Sequence, residues 1–133
     1  MLAWSRRRAA GAAMYDHVGF KVKDVDASAR FYAAALGALG YEQGFSDQST
    51  VSFGPQGAPA LWLYGDERLA HSLLHVAFSA SSRSAVDAFH RAGIEAGGRD
   101  NGPPGLRRDY SPTYYAAFLL DPDGNNIEAV CLK

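Results

Sequence analysis

Shifted by 58 residues, this chain partly matches itself: His17 falls on His75, Val18 on Val76, Phe20 on Phe78, Phe31 on Phe89 and Gly40 on Gly98. Ala27 and Ala34 also meet Ala85 and Ala92, although alanine matches mean little in an alanine-rich chain. Two aromatics, a histidine and a glycine holding one offset mean more. A repeat of this size says that the fold is two similar units rather than one sheet with additions. The 133 residues are the size of one domain, and 47% hydrophobic residues suffice for a shared core.

Each unit opens on an alternating run. Residues 15–23 put Val18, Phe20 and Val22 on one face and His17, Gly19 and Lys21 on the other; residues 74–79 repeat this with Val76 and Phe78 opposite His75, Ala77 and Ser79. A helix is predicted over 25–39, with Asp24 as N-cap and Gly40 ending it, and a second over 82–92, with Ser81 or Ser82 as cap and Gly93 at its end. Short strands follow at 41–45, 50–53 and 60–64, and again at 95–99, 113–120 and 125–132. The Asp121-Pro122-Asp123-Gly124-Asn125-Asn126 segment between the last two is turn chemistry flanked by apolar runs, hence a hairpin. The order βαβββ, twice, is an α+β pattern with helices on one sheet face. The modules cover about residues 14–66 and 72–133 of a single domain, 14–133, and residues 1–13 are expected to be a disordered extension.

Composition removes several function classes. A net charge of −1 argues against a nucleic-acid footprint. No apolar run approaches the roughly 20 residues that span a bilayer. A single cysteine, Cys131, excludes an internal disulfide and is read as a core residue in a reducing compartment. The three arginines of residues 1–13 come without an apolar stretch, so they do not read as a secretory signal, and cytoplasm is the expected location.

The faces opposite the helices carry the chemistry. Glu128 lies among Ile127, Ala129 and Val130, where a charge is costly unless something pairs with it. His17 and His75 stand in similar settings on two other strands. Two imidazoles and a carboxylate make a candidate divalent metal site, with their side chains expected to converge within about 4–5 Å. Gly19 and Ala77 beside the histidines leave room for a small-molecule substrate. Counted back from Asp121, strand alternation puts Tyr114, Ala116 and Phe118 on this face and Tyr115, Ala117 and Leu119 beneath the helix. Tyr114 is therefore a candidate proton donor or acceptor. Phe118 and Tyr110 are candidate substrate contacts. Residues 100–112 form the one long irregular connection, a candidate lid. It carries Arg107 and Arg108, whose guanidinium forks suit an anionic substrate group. His90 is expected to be exposed on its helix and His71 in a loop.

With these motifs in place, Asp16-His17-Val18, Ser28-Ala29-Arg30-Phe31-Tyr32, His75-Val76-Ala77-Phe78 and the 121–128 segment, the chain resembles the vicinal oxygen chelate superfamily. That superfamily includes glyoxalase I, extradiol dioxygenases, fosfomycin-resistance enzymes and bleomycin-binding proteins. The resemblance implies two βαβββ modules forming an open, incompletely closed barrel around a divalent metal, held from the first and last strands of each module. His17, His75 and Glu128 occupy three of those positions. The fourth falls on Trp62, equivalent to Glu128 in the other module, which cannot ligate and would instead wall the pocket or stack on substrate. The donor set accepts Zn, Ni, Mn, Fe or Co. The expected function is a metal-dependent enzyme of lyase or isomerase type, with Glu128 moving the proton. The alternatives are an Fe(II) or Mn(II) dioxygenase and a non-catalytic binding protein of the bleomycin-resistance type. A homodimer is expected, because a short chain of this kind leaves sheet edges that need covering.

Overall fold

A computed structural model describes residues 14–133 and arranges them as two successive βαβββ units. The first comprises β1 (Val18–Val22), α1 (Val25–Gly37), β2 (Glu42–Ser46), β3 (Thr50–Gly54) and β4 (Leu61–Gly65). The second comprises β5 (His75–Ser79), α2 (Arg83–Glu95), β6 (Arg99–Leu106), β7 (Tyr115–Leu120) and β8 (Asn126–Cys131). The 1–13 extension lies outside the described residues. Each unit makes one four-stranded mixed sheet, in the orders β1-β4-β3-β2 and β5-β8-β7-β6. Among the described residues the two sheets do not join into a closed barrel, so the architecture is α+β with open edges. No described helix is long and apolar enough to cross a membrane.

In both units the first strand pairs in parallel with the last, and the repeat survives in the register. Gly19 sits opposite Trp62 and Ala77 opposite Glu128, so Trp62 and Glu128 are equivalent positions. The helices begin as expected. The Asp24 side chain accepts from Ala27 N at 3.1 Å and Ser82 Oγ accepts from Ala85 N at 3.1 Å, each meeting a donor that the first helical turn leaves without a partner. Phe31, Tyr32, Ala35 and Leu36 of α1 and Val86 and Phe89 of α2 enter one core with Val51, Leu63, Leu119 and Ile127 from both sheets. Burying a side chain such as Phe31 or Phe89 contributes about 1.5–3 kcal/mol each.

Gly93 does not end α2, which continues to Glu95. A Cβ at Gly93 would stand 2.3 Å from Leu119 Cδ1, so this glycine lets helix and sheet approach closely. The left-handed turn comes at Gly97 (φ +103°), and residues 95–98 are helix end and turn rather than strand. The expected lid is also different. Its first half is β6, paired with β7 through two register shifts around Gly102. Pro103 and Pro104 are tolerated because β6 is an edge strand whose pairing is interrupted there. Only the stretch between β6 and β7 remains a loop.

The 121–126 turn joins β7 to β8 and also fastens the two units. Asp121, 1% exposed, accepts at Oδ1 from the amides of Asp123 and Asn125 (2.9 and 2.8 Å). At Oδ2 it accepts from Asn125 Nδ2 at 2.9 Å and from the Tyr32 hydroxyl of α1 at 2.6 Å. Asn125 Oδ1 in turn accepts from Leu74 N at 3.1 Å, just before β5, and the Asp123 carboxylate accepts from Lys23 N at 3.1 Å. Burial, and then the charge and hydrogen bond of Asp121, push the Tyr32 phenol well above its ordinary pKa.

Tyr32→Phe removes one donor from a buried carboxylate and is expected to cost about 1.5–3 kcal/mol in urea unfolding at pH 7. The folded chain holds this proton more tightly than the unfolded one. The contribution is therefore complete below the unfolded tyrosine value of about 10 and is lost as pH rises through the folded value. A variant as stable as the parent at pH 7 would show that the bond does not tie the units together.

Candidate metal centre

β5 begins on His75 and β8 carries Glu128 two positions beyond Asn126, the cross-strand partner of His75. Because side chains alternate along a strand, Ile127, Ala129 and Cys131 enter the core while Asn126 and Glu128 share the helix-free face with His75. His75 Nδ1 lies 2.9 Å from the main-chain carbonyl of Asn126. A carbonyl can only accept, so Nδ1 carries a proton, and in the neutral ring Nε2 keeps its lone pair. That lone pair faces Glu128 Oε1 at 3.1 Å. Two acceptors at this distance repel unless a cation, either a proton or a metal ion, lies between them.

The other carboxylate oxygen is also committed. Tyr114 donates to Glu128 Oε2 at 2.5 Å, so Glu128 keeps a fixed orientation although it is only 2% exposed. Burial, and then the hydrogen bond and charge of Glu128, push the Tyr114 phenol up to about 12. Tyr110 packs edge-on against Tyr114 with ring centroids 4.9 Å apart. Phe118, directly across the ladder from Glu128, stacks on the His75 ring at 6.5 Å and 22°. Together His75, Tyr110, Tyr114, Phe118, Asn126 and Glu128 line an open cleft of about 360 Å³. Tyr115 points the other way and donates to Asp87 of α2 at 2.6 Å, as the alternation requires.

This pair fits a divalent ion. It offers one imidazole nitrogen with its tautomer set by a backbone carbonyl, and one carboxylate oxygen oriented through its partner oxygen. It is two of the three residues expected. His17 precedes β1, is exposed, and places Nδ1 2.8 Å from the Asp16 carboxylate. Among the described residues no three His, Cys, Asp or Glu side chains gather as a metal requires, so the three-residue convergence does not occur within one chain. The reason is topological: His17 heads an edge strand of one sheet and His75 an edge strand of the other.

The remaining candidates divide. Trp62 is half-buried on β4 in the first sheet, its ring 6.1 Å from Phe45. Arg107 is turned onto its own backbone, donating to the carbonyls of Gly105 and Pro103, while Arg108 is exposed. His71 is exposed outside the helices and strands. His90 is not exposed but half-buried, with Nε2 2.8 Å from Asp100. The Gly102 amide, and then His90, hold the Asp100 carboxyl below its usual range. Asn126 was missed. Its carbonyl sets His75 and its Oδ1 accepts from Asn101 Nδ2 at 3.2 Å, and the β8 alternation that singles out Glu128 also marks it.

Residues 15–129 match the model of the Glyoxalase/Bleomycin resistance protein/Dioxygenase superfamily. None of the curated proteins gives a significant match. Among solved structures, a glyoxalase/bleomycin resistance protein from Albidiferax ferrireducens T118 is 35% identical, with a TM-score of 0.77 over 90% of this chain and 98% of that one. Two others share the fold at lower identity. A glyoxalase/dioxygenase from Nostoc punctiforme is 21% identical (TM-score 0.68, 89% of this chain and 90% of that one). A lactoylglutathione lyase from Agrobacterium tumefaciens is 20% identical (TM-score 0.65, 90% and 93%). With the family model covering nearly all of the two βαβββ units, the chain belongs to the glyoxalase/bleomycin resistance protein/dioxygenase superfamily.

Proposed function

We propose that the protein is a divalent-metal-dependent enzyme acting on a small substrate that binds through two oxygens. In this reading it works as a homodimer, each centre taking His75 and Glu128 from one copy and His17 from the other. The observation that carries it is the 3.1 Å approach of His75 Nε2 to the buried Glu128 Oε1, a gap that a cation bridges. The second copy is supported by the edges. Among the described residues β1 and β5 are both end strands, each headed by a histidine and each with an unpaired side. Val18 of β1 is 38% exposed and Leu74, beside β5, is 37% exposed, apolar surface of the kind that an edge-to-edge partner would cover.

A bound ion would act as a Lewis acid on a substrate oxygen and stabilise the negative charge that develops there. Glu128 is the candidate base, its Oε1 held toward the cleft by the Tyr114 bond to Oε2. With its phenol pushed up to about 12, Tyr114 keeps its proton at working pH and serves as the hydrogen-bond donor that orients Glu128, which itself takes up and returns the substrate proton. Phe118 and Tyr110 give the cleft an aromatic flank beside the ligand pair. The lyase named among the structural neighbours suits this chemistry. Trp62 favours a second reading. It stands where the repeat would put a fourth donor, leaving a two-His, one-carboxylate set suited to Fe(II) or Mn(II) and a dioxygenase. Iron in the purified protein with oxygen uptake on diphenols would select that reading.

Protein purified without chelator is expected to sediment as a dimer and bind one divalent ion per chain. His75→Ala and Glu128→Gln should each weaken binding beyond the roughly 10–100-fold typical of losing an outer-shell partner. Parent protein that takes up no ion in a zinc or cobalt titration would refute the metal reading. Tyr114→Phe leaves a buried carboxylate oxygen without its donor. It should cost about 1–3 kcal/mol in chemical unfolding while leaving ion affinity within about tenfold. Unchanged stability in that variant would show that Tyr114 does not hold Glu128.

A further inference from the structure

The pairing of β6 with β7 shifts register between Asp100 and Gly102 and again between Gly102 and Gly105, and Arg107 folds back over both shifts. Its Nη1 donates to the Gly105 carbonyl at 2.9 Å and its Nη2 to the Pro103 carbonyl at 2.7 Å. The guanidinium carbon lies 5.4 Å from the centroid of Phe118, over the ring. That same ring stacks on His75. The glycines belong to this arrangement. A Cβ at Gly102 would stand 2.9 Å from Phe118 Cδ1 and 3.2 Å from Arg107 Nη2, and one at Gly105 would stand 3.2 Å from Arg107 Nη1.

We propose that Arg107 is a positioning residue for the metal half-site, setting the His75 imidazole through Phe118. The proposal rests on His75 serving as an ion ligand. It replaces the role that an arginine in this segment first suggests, a clamp for an anionic substrate. A guanidinium is planar, so it can span two carbonyls and lie flat on an aromatic ring in one conformation. A lysine ammonium carries the same charge but cannot do both. The chain of contact is then backbone of β6, Arg107, Phe118, His75. The imidazole is held as well at Nδ1, by the Asn126 carbonyl. An ion ligand held on its ring face and at its second nitrogen loses little freedom on binding, and such outer contacts tune affinity.

The test measures zinc affinity of the full chain by competition with a chromophoric chelator. Arg107→Met, Arg107→Lys and Phe118→Leu should each bind about tenfold more weakly than the parent. The double variant Arg107→Met/Phe118→Leu should also lose about tenfold rather than about a hundredfold, because residues acting through one another are not additive. Parent-like affinity in Arg107→Lys, no loss in Arg107→Met, or multiplicative losses in the double variant would each overturn the proposal. A second readout needs no metal. The ring-proton shifts of His75 in metal-free protein carry the ring current of Phe118. They should move in Arg107→Met and in Phe118→Leu and stay fixed in Arg108→Met. A parent that binds no zinc defeats the metal reading alone, whereas His75 shifts that ignore Arg107→Met defeat this inference.

Discussion

One buried carboxylate holds the two halves of this repeated chain in register. Asp121 accepts from Tyr32 on the first helix and from Asn125 within its own turn, and Asn125 passes the connection to Leu74 at the entry of β5. A carboxylate in the core is costly unless its oxygens are filled, and here each oxygen receives two donors. The consequence reaches the cleft. The turn is where β8 begins, so pinning it fixes which β8 side chains meet the core and which meet β5. A slip of one residue would turn Glu128 into the core and Ile127 out of it.

From that register follow the two faces on which the proposed site is built. The second sheet presents an imidazole nitrogen facing a carboxylate oxygen at 3.1 Å, braced by Tyr114 and Phe118. The first sheet presents His17 and an aromatic Trp62 at the corresponding positions, with no further ligand gathered beside them among the described residues. Repeats that each leave a first strand unpaired on one side are suited to meeting a second copy, since an open edge is satisfied by another edge. In the dimer proposed here, one partner would complete both, the half-site in the side chains and the open edge in the backbone.

Much of this was legible in the residues. The offset that matches His17 with His75 predicts two βαβββ units, and period-two alternation places Tyr114, Phe118 and Glu128 on one face and Tyr115 on the other. The capping roles of Asp24 and Ser82 follow from local chemistry. What was not legible depends on distant neighbours. Gly93 looks like a helix terminator until Leu119 is packed against it, and residues 100–106 look like part of a loop until β7 supplies a partner. Arg107 reads as a free cation, but the bends of β6 bring two carbonyls to it. His90 finds Asp100 only because β6 folds back along α2. The convergence of His17 with His75 failed for a related reason: alternation assigns a face within a sheet and is silent on how two sheets meet.

The central claim is that a complete centre needs two chains, and subunit mixing tests it most directly. His17→Ala and Glu128→Gln are purified separately, and each homodimer should bind zinc weakly. Mixed and allowed to exchange, they form a heterodimer in which one centre carries both substitutions and the other carries neither. The account predicts that tight zinc binding returns at one ion per heterodimer, with parent-like affinity. If the mixture binds no better than its components although exchange is complete, the three residues do not act across the dimer and the account is contradicted.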